Sequence, residues 1–227
     1  MAVDPNNQIW LTSALTDNDV PKALTLCFSL KRGLTNRKQG VIASQKISPV
    51  LKEALHRGFD LFFYLDEDRN TAGLKCEDFA KLFALTLKSF RKCFYLEPTI
   101  VVIRNCDEVF EIVMHEQENF VFTQKENNMS VLLLRPSLLT FEVLMSSIAD
   151  ANGTDEQSGL SVMFPSEKTD CPSAGDFYSE YAEIFKMETL VGDAFSKWLE
   201  YAKNNLNSEK SIIRVLEVGA GKKRETL

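Results

Sequence analysis

Between Ile9 and Phe164, short apolar runs alternate with longer stretches whose apolar residues recur at helical spacing. That alternation is the mark of an α/β layered domain, in which strands bury both faces and helices bury one. The pattern predicts strands over Ile9–Leu15, Gln39–Ser44, Leu61–Leu65, Cys93–Leu96, Ile100–Ile103 and Met129–Leu134. Helices are predicted between them. Pro21–Arg32 keeps Ala23, Leu24, Leu26, Cys27 and Leu30 on one face, and Ser48–Arg57 opens with a serine cap and Pro49 in the first turn. Cys76–Arg91 spaces Phe79, Leu82, Phe83, Leu87 and Phe90 helically, and Pro136–Ala149 does the same with Leu138, Phe141, Leu144, Met145 and Ile148. Such stripes are core by default.

Past Phe164 the run from Pro165 to Asp176 is rich in turn formers and poor in apolar residues, which reads as a linker. Residues 8–165 are therefore expected to form one domain, and 166–227 a linker with a short, mainly helical extension. Within the extension, Phe177–Leu206 carries apolar residues at helical spacing and Ser211–Val218 is strand-like.

Composition narrows the class. With 227 residues and 44% hydrophobic content the chain can bury a sizeable core. Its longest apolar runs fall far short of the roughly 18–20 residues that span a bilayer. The opening Met1-Ala2-Val3-Asp4-Pro5 has neither a basic n-region nor an apolar h-region, so a cytoplasmic protein without a membrane partner is expected. A net charge of −6 gives no general attraction to nucleic acid. The five cysteines are odd in number and never form a CxxC pair, which points to small buried hydrophobes rather than a disulfide framework or zinc site.

The richest chemistry lies in Lys92–Phe110. Two carboxylates at i and i+2 near a strand's carboxyl end share a face and can grip one divalent ion. Here the corresponding pair is Glu97 and Thr99, separated by Pro98. A hydroxyl is a weaker ligand than a carboxylate, so the clamp is partly dismantled.

Four blocks, in order, resemble glycogenin and its relatives, the family 8 retaining glycosyltransferases. The first is Leu15-Thr16-Asp17-Asn18-Asp19 running into Lys22–Lys31, similar to the opening nucleotide loop and first helix. The second leads from Phe79-Ala80-Lys81-Leu82 to Lys92-Cys93-Phe94-Tyr95-Leu96. The third places Glu97-Pro98-Thr99 at the family's Asp-x-Asp, with Asn105-Cys106-Asp107-Glu108-Val109-Phe110 at its Asn-x-Asp-Glu-Leu-Phe. The fourth matches Asn128-Met129-Ser130-Val131 to the acceptor-side Asn-Ser-Gly-Val, continuing to Asp155-Glu156-Gln157-Ser158 at Asp-Gln-Gly.

The resemblance implies a GT-A type, Rossmann-like nucleotide-sugar domain with a mixed central sheet. It further implies hexosyl transfer from a UDP-sugar to an acceptor, with manganese or a similar divalent cation as cofactor. On this reading Thr16, Asp17 and Asn18 meet the nucleotide, Lys81 the donor's phosphates or sugar, and Glu97 with Thr99 the metal. Asn128, Glu156 and Gln157 face the sugar and acceptor, the last two as catalytic candidates. A homodimer is implied by the family alone.

Departures concentrate in the chemistry. The family's late His-x-x-Gly ligand has no counterpart, since the only histidines are His56 and His115, and Ser130 and Ser158 stand where glycines let the sugar approach. Two readings stay open: an impaired transferase, or a non-catalytic pseudoglycosyltransferase that binds a partner or nucleotide. A third, a fragment of a bifunctional protein, draws on Ile212–Gly221, which resembles the first motif of S-adenosylmethionine-dependent methyltransferases before Lys222-Lys223 breaks it. For Lys81 the competing reading is a charged residue on the wet face of a helix.

Overall fold

A computed structural model describes residues 7–111, 114, 120–122, 131–151 and 185–186. Its strands are β1 (Gln8–Ala14), β2 (Lys38–Ala43), β3 (Leu61–Tyr64), β4 (Lys92–Leu96), β5 (Val101–Val102), β6 (Phe120–Phe122), β7 (Val131–Leu134) and β8 (Phe185–Lys186). The helices are α1 (Asp19–Arg32), α2 (Pro49–Gly58), α3 (Cys76–Phe83) and α4 (Leu138–Ala151).

Six strands form one mixed sheet in the order β3-β2-β1-β4-β7-β6. The first four run parallel, whereas β7 is antiparallel to β4 and β6 antiparallel to β7. Successive side chains alternate between the two faces. Ile9, Leu11, Ile42, Cys93, Tyr95, Leu132 and Leu134 pack with α3 and α4 on one side. Their neighbours Trp10, Phe94, Leu133, Val41 and Ala43 pack on the other, against α1, α2 and the segment after β4. Burial on both faces explains why these strands read as near-continuous apolar runs rather than as alternating ones.

Where the crossovers turn, local chemistry sets the limits. Ser48 is extended at the start of α2 and Pro49 supplies the first helical residue. Gly33 ends α1, and a Cβ there would lie 3.2 Å from the Arg104 and Asn105 backbone, so any side chain would ask the segment after β5 to give by a few tenths of an ångström. The predicted helix over Cys76–Arg91 is shorter than its apolar spacing indicates. It stops at Phe83, tightens to a 3-10 turn over Ala84–Thr86, and leaves helical geometry at Leu87. Thr86 Oγ1 donates to the Phe83 carbonyl at 2.7 Å, a side-chain bond that competes with the helix. Phe90 is nonetheless buried in the same core as Phe79.

Three strands depart from the sequence pattern. β6 is three residues long, too short for a period to register. Phe185–Lys186, inside the stretch expected to be helical, pairs antiparallel with β5 instead, and the predicted strand over Ile100–Ile103 shortens to Val101–Val102. The predicted Ser211–Val218 strand and the methyltransferase-like turn lie outside the described residues.

Cys27, Cys93 and Cys106 are buried as expected, and burial pushes the Cys27 and Cys106 thiols up to about 12. Cys76 is the correction: it opens α3 at the surface and is exposed.

At the end of the sheet opposite the strands' carboxyl termini, Asp107 ties three segments together. Its Oδ1 accepts from Thr35 Oγ1 at 2.5 Å and Trp10 Nε1 at 3.2 Å, and its Oδ2 accepts from the Asn36 amide at 2.9 Å. Replacing Asp107 by alanine leaves donors unmet and is expected to lower the unfolding free energy by about 2 kcal/mol, read from urea denaturation.

Candidate functional site

The sheet order reverses at β1, which has β2 on one flank and β4 on the other. In open α/β sheets a crevice opens outside the carboxyl ends of strands at such a switch point. Register pairs Leu11 with Tyr95, so the loops after β1 and β4 leave the sheet side by side. The first carries Thr16, Asp17 and Asn18, and the second carries Glu97, Pro98 and Thr99.

Thr16, Asp17 and Asn18 are all exposed. Asp19 organises their loop: its Oδ2 accepts from the Thr16 amide at 2.9 Å, the Thr16 hydroxyl at 2.8 Å and the Leu15 amide at 3.2 Å. Asp17 reaches across to the next crossover, where its Oδ1 accepts from the Ser48 amide at 2.8 Å, just before α2. A carboxylate there suits the positive end of the helix dipole. Asn18 sits in helical conformation before α1 and makes no side-chain capping bond.

Across the crevice, β4 ends at Leu96, and Glu97-Pro98-Thr99-Ile100 closes a tight turn in which the Ile100 amide donates to the Glu97 carbonyl at 3.0 Å. Strand alternation therefore does not extend through Glu97 and Thr99. The shared-face argument for a two-ligand grip holds only while the chain is a strand, and here it has become a turn.

Lys81 brings the separated blocks together. It is 6% exposed, not on a wet helix face, and its Nζ lies 2.7 Å from Glu97 Oε1. A second carboxylate, Asp78 Oδ1, lies 3.9 Å from the same nitrogen, one helical turn earlier. The amphipathic α3 carries both groups toward β4. Burial raises the Asp78 carboxyl above its ordinary range, with Glu97 adding to the rise while Lys81 and Lys75 oppose it. Beneath them the Tyr95 hydroxyl and Ser13 Oγ share a buried hydrogen bond of 2.8 Å. Burial chiefly, with smaller contributions from Glu97, Glu77 and Asp78, keeps that phenol protonated. Asp78 and the Ser13–Tyr95 pair were not singled out from the sequence, although Asp78 stands at i−3 from Lys81, a spacing that allows contact on a helix.

Asn128, Glu156 and Gln157 lie outside the described residues. A divalent cation is a poor fit to the groups at Glu97. Its carboxylate is engaged by an ammonium, Thr99 offers a neutral oxygen, and among the described residues no three His, Cys, Asp or Glu side chains cluster closely enough to hold a metal.

Comparison with known proteins gives this arrangement a context. Glycogenin-1 of Caenorhabditis elegans is 26% identical over 201 residues, 79% of this chain and 47% of its own length. Glycogenin-1 of Oryctolagus cuniculus is 24% identical over 179 residues, 72% of this chain and 52% of its own. The chain is glycogenin-like. It spans about half the length of the curated relatives it matches. No family model matches the sequence.

Solved glycosyltransferases share the fold of this chain. The bifunctional glycosyltransferase WbbM superposes with a TM-score of 0.54 at 12% identity, covering 70% of this chain and 36% of that one. The galactosyltransferase LgtC, solved with donor and acceptor sugar analogs, gives 0.52 at 14% identity, with 69% and 70% covered. Apo GlyE of Streptococcus pneumoniae gives 0.54 at 16% identity, with 78% and 50% covered. At these identities the likeness speaks for the fold, and the fold is GT-A.

Proposed function

We propose that the glycogenin-like domain is a hexosyltransferase using a UDP-sugar donor with retention of configuration, working well below the rate of a relative with an intact Asp-x-Asp. In such a transfer the bond between the sugar's anomeric carbon and the diphosphate oxygen breaks, an acceptor oxygen bonds to that carbon, and uridine diphosphate leaves while the acceptor hydroxyl's proton passes to the departing diphosphate or to water. The observation that supports this reading is the contact between Lys81 and Glu97, which belong to separate motif blocks and meet at the switch point. Thr16, Asp17 and Asn18 would hold the nucleotide. Asn128, Glu156 and Gln157 are assigned to the sugar and acceptor by resemblance alone, as are a cytoplasmic setting and a homodimer.

A second reading has its own support. If Lys81 serves only to neutralise Glu97 and Asp78, it is not free to meet a leaving diphosphate, and the domain reads as a non-catalytic pseudoglycosyltransferase that acts as a scaffold.

Calorimetric titration of uridine diphosphate glucose separates a domain that keeps its donor site from one that is a scaffold alone. A transferase domain is expected to bind the donor with a Kd of roughly 1 μM to 1 mM, the ordinary range for enzyme substrates. Absence of heat across that range, from protein whose folding is verified by circular dichroism, would sink the donor site and leave the scaffold.

A further inference from the structure

The ion pair beneath the two loops joins three groups on two elements. Lys81 comes from α3, Asp78 lies one turn earlier on the same helix, and Glu97 follows β4. Their side chains are 8%, 19% and 24% exposed, so none is a surface charge free to swing into water. A lysine this buried must remain close to carboxylate partners, because an ammonium removed from water without them is strongly destabilising.

A divalent ion bound to Glu97 would compete for the same carboxylate. It would have to take Oε1 from an ammonium 2.7 Å away and then sit within a few ångströms of that buried positive charge. Like charges a few ångströms apart in a half-buried site repel strongly, and a divalent ion roughly doubles the repulsion. Thr99 contributes no negative charge to offset it.

We propose that Lys81 is the built-in cation of this clamp, holding Glu97 against Asp78 and excluding a divalent ion, so that recognition of a nucleoside diphosphate by this chain is independent of metal. The exclusion stands on the ion-pair geometry. Its consequence for the diphosphate rests on the donor-site reading of the preceding section. In a metal-dependent relative the carboxylates present a bound ion to the diphosphate. Here their charge is met from within the fold, and the second aspartate, which an ion would need, has become Thr99.

The test combines two titrations on the full chain. Loss of the free Mn2+ signal in electron paramagnetic resonance reports metal uptake by the protein alone. Calorimetry with uridine diphosphate, in manganese and separately in EDTA, reports diphosphate binding. The wild type is expected to take up no Mn2+ at up to about 1 mM and to bind uridine diphosphate with affinities agreeing to within about twofold in the two conditions. Lys81→Met removes the competing charge and keeps most of the side chain's length. It should gain at least about tenfold in Mn2+ affinity, a gain that Glu97→Gln added to it abolishes.

Micromolar Mn2+ uptake by the wild type, or uridine diphosphate affinity rising about tenfold with manganese, would overturn the inference and leave the donor site standing. A folded Lys81→Met chain that gains no metal affinity would also overturn it. Failure of uridine diphosphate to bind in either condition, with the Mn2+ results as expected, would remove the donor reading and retain the built-in cation. Should Lys81→Met fail to fold, the two wild-type titrations still decide the matter.

Discussion

Truncating Trp10 to alanine is expected to lower the unfolding free energy by about 3–5 kcal/mol, the cost of deleting a large buried aromatic side chain. Trp10 is 1% exposed on the face of β1 toward α1, with ring centroids 4.9 Å from both Phe94 and Phe110. Its indole Nε1 donates to Thr35 Oγ1 at 3.0 Å as well as to Asp107. Alanine therefore opens a cavity between β1, β4 and the segment after β5, and also removes a donor from the Asp107 cluster. Domains are stable by only about 5–15 kcal/mol, so the loss is a large part of the total. Urea denaturation followed by far-ultraviolet circular dichroism measures it, with Trp10→Phe as the companion that keeps a ring and loses the N–H. A change below about 1 kcal/mol for the alanine variant would place Trp10 outside the cooperative core.

Restoring the second acid should change the site in the opposite sense. In the Glu97→Asp, Thr99→Asp chain, manganese-dependent affinity for uridine diphosphate glucose is expected to rise about tenfold or more, equivalent to about 1.4 kcal/mol per factor of ten. The shorter carboxylate at 97 draws back from Lys81 Nζ, which weakens the contact now at 2.7 Å, and the new aspartate supplies the anionic ligand that Thr99 lacks. Calorimetry with and without Mn2+, alongside the unaltered chain, gives the comparison. Unchanged affinity in the presence of metal would show that Lys81 still excludes the ion or that the pocket departs from a donor site beyond the clamp itself.

Both variants depend on elements of different legibility. The central parallel strands were readable because burial on both faces leaves short, mainly apolar runs such as Ile9–Leu11, Val41–Ala43 and Cys93–Leu96, and α1 and α2 because one buried face leaves a helical period with Gly33 or Ser48-Pro49 at an end. The end of α3 was not readable. The apolar spacing of Leu87 and Phe90 continues past Phe83 after the backbone has left helical geometry, since a buried side chain records only that it faces the core. β6 and β8 are short strands defined by their partners, Leu132–Leu134 and Val101–Val102. The tail's helical period gave no sign of that partner.

For the site, the resemblance carried Thr16, Asp17, Asn18, Lys81, Glu97 and Thr99 to two loops and one helix. The structure sets these loops beside each other after β1 and β4, with Lys81 on α3 reaching Glu97. What each group does there is a different matter. The sequence by itself determined the layered α/β architecture, the glycogenin-like order of blocks and a threonine at position 99 where the resemblance expects a second acid, because these are local properties of period and identity. Only the tertiary structure decided that Lys81 is buried between Glu97 and Asp78, that Asp17 tethers the α2 start, and that Glu97–Ile100 is a turn. Charge pairing and desolvation depend on which groups from distant segments come within a few ångströms, and no spacing along one chain encodes that distance.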